Sequence, residues 1–420
     1  MPDAVGAVTK GPGRQPEGAH RTSASAAPSS VARADKETRK ALLRSRFVGC
    51  LVGGAAGDAL GAPVEFLRYP EILARFGATG ITGYALAYGR MGAITDDTQM
   101  TLFTAEGLIR DGMRRALGNR GTVEGLVAAA YDRWFSTQTG RPPRFGRDGG
   151  VLEWPPAGDG RSPDGWLMSH DDLHHRRGPG ATCLAALEAM TVLGEPATND
   201  SKGCGGVMRI APVGLVHGWV GYEPRETMAL GKALAALTHG HPTGAIAAGA
   251  LAVLIAEIVR GRDVKEALAC VHECLARERH GANTEDALQR AEKWAQQCPD
   301  DPAAAIPHIG EGWIAEEALA VGVYCALTAR DFSDGVIRAV NHGGDSDSTG
   351  SITGNILGAL WGAETIPASL LEPLELRDVI TELAEDLVAF AKWYDGDPGD
   401  ASHQPDHALR ARMEQKYPGY

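Results

Sequence analysis

The sequence predicts an all-α fold, and three observations carry that prediction. Apolar residues recur at helical spacing along most of the chain. No run of alternating β-branched residues is long enough to read as a sheet. Aromatic residues make up only 6% of the chain, and strand-rich folds usually carry more.

The helices follow in chain order. Residues 40–60 read as a helix entering a Gly-rich turn, and 99–115 as one that follows an acidic, Thr-rich start. Further helices are predicted over 123–136, 182–192, 224–237, 243–260, 263–279 and 284–297, then over 314–329, 332–340, 351–360 and 377–393. Gly or Pro punctuates several of these boundaries. Residues 243–256 are the longest uncharged apolar stretch, shorter than the ~18 residues of a membrane span. Their Ala and Gly content marks a buried core helix. Residues 140–180 read as a long polar loop, a length usually kept for function. Residues 1–40 hold almost no large apolar side chain, which predicts a disordered extension. A single helical domain is expected over 41–395, and 396–420 as a peripheral tail.

Composition narrows the function. With 44% hydrophobic and 22% charged residues, the 420-residue chain is neither collagen-like, coiled-coil nor wholly disordered. The net charge is −12; residues 1–46 hold nine Lys/Arg against four Asp/Glu, so the rest carries −17. An acidic body is a poor partner for duplex nucleic acid and a good one for divalent cations. The seven cysteines are scattered, and no apolar leader segment is evident, so reduced thiols in a cytoplasmic protein are expected. Cys270, His272 and Cys274 have no second pair at zinc-site spacing.

Five motifs hold chemistry. Gly57-Asp58-Ala59-Leu60-Gly61-Ala62-Pro63-Val64-Glu65 reads locally as a helix end with Asp58 exposed, and it closes on a carboxylate. Thr95-Asp96-Asp97-Thr98 opens a helix. Capping explains one acid, but two acids between two hydroxyls offer the oxygen ligands that Mg²⁺ prefers. Asn341-His342-Gly343-Gly344-Asp345-Ser346-Asp347-Ser348-Thr349-Gly350 alternates acids with hydroxyls. It is not an EF-hand, because Ile356 falls where the bidentate Glu belongs. Ser201-Lys202-Gly203-Cys204-Gly205-Gly206-Val207-Met208-Arg209 is similar to a backbone nest for phosphate oxygens, but is neither a Walker nor a Rossmann loop. Thr238-His239-Gly240-His241-Pro242 suits a hydrogen-bonding role better than zinc. If these motifs share one site, acids from both ends of the ordered region meet there beside an anion nest. That combination suits a binuclear metal centre next to a phosphate-bearing substrate.

The motifs together resemble the ADP-ribosylglycohydrolase family, of the dinitrogenase reductase-activating glycohydrolase type. The matching segments are GDALGAPVEF (57–66), TDDTQM (95–100), RRGPGATC (176–183), SKGCGGVMR (201–209), THGHP (238–242) and GGDSDSTGS (343–351). The resemblance implies an orthogonal multi-helix bundle holding two Mg²⁺ or Mn²⁺ ions. Their ligands would be Thr95, Asp96, Asp97, Asp345, Asp347 and Ser348, where relatives usually have Thr at the last position. It implies catalytic roles for Glu65, Asp97 and Asp345. Substrate contacts would come from Glu65, Ser201, Gly203, Cys204, Gly205, Gly206, Met208, His239, Gly343 and Gly344. Asp171 and Asp172 lie in the kind of loop from which some relatives draw an acid.

The implied reaction is hydrolysis at the anomeric carbon of ADP-ribose, releasing ADP-ribose from a protein side chain, a nucleic-acid base or a small molecule. Two other readings stay open. One is a non-catalytic ADP-ribose-binding or structural member of the fold. The other is a metal phosphohydrolase cutting the diphosphate.

Overall fold

Two helices far apart in the chain pack through a seam of glycines. In the computed structural model, α1 (Ser30–Gly61) presents Gly49, Gly53, Gly57 and Gly61 at four-residue spacing to a late helix, Ser346–Trp361. That helix answers with Gly358, Gly354 and Gly350. A Cβ at Gly53 would stand 2.6 Å from the Gly354 carbonyl oxygen, and one at Gly358 would stand 1.9 Å from that of Gly49. Only hydrogen side chains allow backbones this close. The pairing is antiparallel, so the C-terminal end of α1 lies against the N-terminal end of its partner.

The structure describes residues 30–116, 118, 121–145, 165–394 and 407–418. After α1 come α2 (Tyr69–Phe76), α3 (Asp96–Ala116), α4 (Val123–Thr139), α5 (Ala181–Ala189), α6 (Ala211–Val220), α7 (Pro224–Ala236) and α8 (Pro242–Val259). These are followed by α9 (Val264–Leu275), α10 (Ala282–Gln297), α11 (Pro302–Ile309), α12 (Ala315–Thr328) and α13 (Phe332–Val340). The series closes with α14 (Ser346–Trp361), α15 (Ala368–Leu371), α16 (Arg377–Tyr394) and α17 (His407–Lys416). Among the described residues the strands are a hairpin of two residues each, Leu86–Ala87 and Arg90–Met91. Its turn residues, Tyr88 and Gly89, both have positive φ, as a tight type I′ turn requires.

Residues 41–420 form one compact unit, and residues 1–40 a second. Of the second, the structure describes residues 30–40, which are helical. The expectation of disorder there is therefore corrected from Ser30 onward, while residues 1–29 lie outside the described residues. Ala, Arg, Lys and Glu dominate residues 32–41, and all are good helix formers.

Helix α8 is the core of the compact unit. By length and composition it could cross a membrane, but 94% of it is buried inside the protein, as expected for residues 243–256. Flanking it are α7 and α6, a helix that sequence periodicity misses because Gly214 and Gly218 read as breakers. Each glycine instead seats α6 on the α8 backbone: a Cβ at either position would stand 2.6 Å from the carbonyl of Ala252 or Ala256.

The tail also differs from expectation. Met413 and Tyr417 are fully buried, and the Tyr417 hydroxyl donates to Asp386 at 2.9 Å. Lys416 pairs with the same carboxylate and lies 3.5 Å over the Trp166 ring. An aromatic and a thioether at helical spacing make α17 a packed element, so 408–418 are not peripheral. In the expected loop 140–180, residues 146–164 lie outside the described residues, and 165–180 hold two short 3₁₀ turns.

Candidate active site

The glycine seam ends at a cluster of carboxylates. Asp58 sits in the last turn of α1, and Glu65 follows in the next turn of chain. Asp96 and Asp97 open α3. Asp345 caps α14, with Asp347 in its first turn. Both acid pairs thus stand at helix N-termini, where the positive end of the dipole favours carboxylates. The predicted helix begins at residue 351, whereas α14 begins at Ser346. Its first turn is helical because Asp345 accepts from the Ser348 N–H at 3.4 Å.

Asp58 is fully buried, not exposed. Its carboxylate accepts from the Thr95 N–H at 3.0 Å, from the Thr98 N–H at 3.2 Å and from the Thr98 hydroxyl. It therefore ties α1 to the start of α3. Burial, then Asp347, pushes its pKa up to about 7 against these hydrogen bonds. Asp96 accepts from the Gly180 N–H at 3.0 Å, so one of its oxygens is engaged by the loop before α5. Thr95 turns its hydroxyl to the Asp97 N–H at 3.2 Å. Asp97 is 3% exposed, and its Oδ1 has no partner.

Glu65, Asp345 and Asp347 each offer an oxygen within 4.8 Å of the others. Burial, then Asp347 and Asp345, pushes Glu65 up to about 10. Asp96, Asp97, Asp345 and Asp347 are all raised, with burial as the leading cause in each. Six carboxyl groups thus act on one another in a largely buried region, a costly arrangement until cations offset the charge. Carboxylates and hydroxyls are hard oxygen donors, and an orphaned buried oxygen on Asp97 awaits a partner. These residues fit divalent cations of the Mg²⁺ or Mn²⁺ kind. Glu65, expected only as a catalytic and substrate contact, lies close enough to Asp345 and Asp347 to be a ligand as well. The other acidic group of this type, Asp172, His175 and Glu375, is occupied by Arg90 and Arg177.

The Gly-rich loop lies beside the cluster. The Cys204 thiol donates to Asp345 Oδ2 at 2.8 Å, and burial, then Asp345 and Asp97, pushes its pKa well up. Two N–H groups of the expected nest are already engaged: Gly203 donates to the Ser201 hydroxyl at 3.3 Å, and Cys204 to the Trp313 carbonyl at 3.2 Å. Gly205 is required by packing, since a Cβ there would stand 2.8 Å from His239 and 2.9 Å from the Cys183 sulfur. Met208 is 2% exposed in the hydrophobic core, which removes its side chain from the expected substrate contacts. Gly343 is exposed, whereas Gly344 is buried against the Glu311 carbonyl, 1.9 Å from where its Cβ would stand.

His239 lies under this loop. Its Nδ1 meets the Thr238 hydroxyl at 2.8 Å, and burial, then Arg209, lowers its pKa to about 3. It is therefore a neutral imidazole. His241 instead caps α8, accepting from the Thr243 N–H at 3.1 Å. Both nitrogens of His272 are taken by Glu285 and Glu292, which leaves no metal role with Cys270 and Cys274.

Sequence reasoning missed the rim. Phe66 and Trp313 stack with centroids 5.9 Å apart and stay exposed. Tyr88, on the hairpin turn, is raised by burial and then by Glu65, which places it near the cluster. The only signals were their adjacency to Glu65 and to a turn glycine.

Fold and site define an all-helical protein with a buried carboxylate centre at the N-termini of two helices. The chain belongs to the ADP-ribosylglycohydrolase family, whose model matches residues 39–396. It is similar to the ADP-ribosyl-dinitrogen reductase glycohydrolase of Rhodospirillum rubrum, with 27% identity covering 80% of this chain and 92% of that protein. It is also similar to an ADP-ribosylarginine hydrolase of Serratia proteamaculans, with 24% identity covering 82% of this chain and 79% of that one. A solved structure, that of an ADP-ribosylglycohydrolase-related protein complex, matches with a TM-score of 0.57 and 26% identity. That match covers 83% of this chain and 99% of the other.

Proposed function

We propose that this protein hydrolyses the glycosidic bond at the anomeric carbon of a bound ADP-ribosyl group, releasing ADP-ribose from an ADP-ribosylated protein. The observation that carries the reading is the convergence of Asp97, Asp345, Asp347 and Glu65 on one desolvated space in a chain of this family. The name of one relative, an ADP-ribosylarginine hydrolase, makes an arginine linkage the first to test. Seven unpaired thiols suit a reducing, cytoplasmic setting.

Thr95, Asp96, Asp97, Asp345, Asp347 and Ser348 would hold two divalent cations, Mg²⁺ or Mn²⁺. When bound, such ions supply Lewis acidity and positive charge. The surrounding carboxylates lower the cost of an oxocarbenium-like state at the anomeric carbon. As the bond to the acceptor breaks, a water adds hydroxide to that carbon and the acceptor takes up a proton. Glu65 is the half-buried carboxyl between cluster and rim, positioned to give that proton. Ser201 and the turn Gly203–Gly206 would contact the diphosphate, with His239 beneath them. Gly343 and Gly344 hold the approach to Asp345.

The test is product analysis on an ADP-ribosylarginine protein with Mg²⁺ or Mn²⁺. ADP-ribose release is the expected result. AMP with ribose phosphate would indicate diphosphate cleavage, and binding without turnover a non-catalytic protein. Either would overturn the proposal.

A further inference from the structure

We infer that the Cys204 sulfur is itself a ligand of the cation centre and gives it affinity for thiophilic divalent ions such as Co²⁺ and Cd²⁺. This rests on the reading of the carboxylate cluster as a metal centre.

The geometry is specific. Cys204 Sγ stands 2.8 Å from Asp345 Oδ2, so a cation held by that oxygen is within reach of the sulfur. The buried Asp97 Oδ1, the polar atom of the cluster left without a partner, belongs to a carboxylate whose charge acts on the same thiol. The Ser348 side chain also acts on this thiol. The sulfur is thus in contact with one proposed ligand, Asp345, and feels two others.

The sulfur is also held there. The Cys204 N–H is tied to the Trp313 carbonyl, Gly203 bridges to Ile314, and Gly205 is wedged against His239 and Cys183. The backbone that carries the thiol is therefore fixed beside the cluster.

The chemistry follows from ligand softness. The other donors of the centre are carboxylate and hydroxyl oxygens, which suit Mg²⁺ and Mn²⁺. A thiolate adds little for those ions and much for softer ones. On binding, the S–H bond breaks, a metal–sulfur bond forms and the proton passes to solvent, with no electron transferred.

The test uses the full-length protein stripped of metal and reloaded with Co²⁺, with bound cobalt measured by equilibrium dialysis. Wild type should show a near-ultraviolet sulfur-to-cobalt charge-transfer band. The band should vanish in Cys204→Ser, which keeps a hydroxyl donor for Asp345, and persist in Cys183→Ser. Cys204→Ser should also bind Cd²⁺ at least about tenfold more weakly, with Mg²⁺ affinity unchanged. Bound cobalt without the band in wild type would overturn the inference with no variant needed, and leave Cys204 as a hydrogen-bond donor only. A band surviving in Cys204→Ser would overturn it too. Failure of wild type to bind cobalt at all would remove the metal-centre reading, and this inference with it.

Discussion

Gly57 of α1 lies directly on the backbone of Gly350 of α14: a Cβ at Gly57 would stand 2.0 Å from the Gly350 carbonyl oxygen. Asp58 is the next residue along α1, and Asp347 lies one turn before Gly350. The contact that joins the two helices thus also joins two of the carboxylates.

Gly57→Ala should therefore cost stability and activity together. Overpacking a tight interface costs about 1–3 kcal/mol, and more where backbone must move. Gly83 has nothing within 4 Å of its added Cβ, so Gly83→Ala serves as a near-neutral control. Urea midpoints of the two variants, with turnover measured at a temperature where both are folded, check this.

Asp97→Asn and Asp345→Asn should each abolish turnover while the fold persists. Removing one charge relieves repulsion in the ion-free cluster, so the melting temperature in EDTA should rise or hold. The increment on adding Mg²⁺ should shrink. Near-normal turnover at saturating Mg²⁺ would sink the ligand assignment.

ADP-ribose should stabilise the protein strongly only with Mg²⁺ or Mn²⁺ present, because the bare carboxylates repel its diphosphate. At ~100 times its Kd a ligand adds about 2.7 kcal/mol, a shift of several degrees or less in a chain this long. Thermal melts in Mg²⁺ and in EDTA, each against its ligand-free control, read the difference. An equal shift in both buffers would count against a substrate-contacting metal centre.

His272 links α9 to α10 through Glu292 and Glu285, and these bonds raise its pKa to about 9. A raised folded-state pKa gives stability that is full below the unfolded value, ~6.5, and is lost as pH rises through about 9. The melting difference between wild type and His272→Gln should therefore shrink from pH about 6 to about 10. A constant difference would mean that the charge of His272 contributes nothing.

Tyr417→Ala should destabilise the protein by about 3–5 kcal/mol, the usual cost of emptying a buried aromatic site. Removing residues 407–420 should do at least as much. Chemical denaturation of both variants checks whether α17 belongs to the folded unit.

Helix existence was largely legible in the sequence. Residues 332–340 were predicted as a helix and form α13, and α8 begins and ends within a residue of its prediction. The misses at α6 and at the start of α14 share a cause, whereas α2, α11, α15 and α17 are short helices without such glycines. Gly214, Gly218 and the Gly-rich start of α14 look like breakers because propensity is local. Here the missing side chains allow contact with another backbone. Met208 looked like part of a binding loop, and Asp58 like an exposed helix end. Both are buried, because burial depends on what packs over a residue.

The sequence by itself determined the helical class and the family resemblance, and it carries the hard oxygens of Thr95-Asp96-Asp97 and Asp345-Ser346-Asp347-Ser348. Those are properties of residue type and short spacing, which the chain carries unfolded. Only the tertiary structure decided that Glu65 comes within reach of Asp345 and Asp347, with Asp58, Asp96 and Asp97 buried close by. It also decided that Cys204 faces Asp345 while His239 stays neutral beneath the loop. Those outcomes depend on the close approach of α1 and α14, which lie far apart in sequence. The four-residue glycine spacing permits that approach, but the packing of all the helices around α8 brings it about.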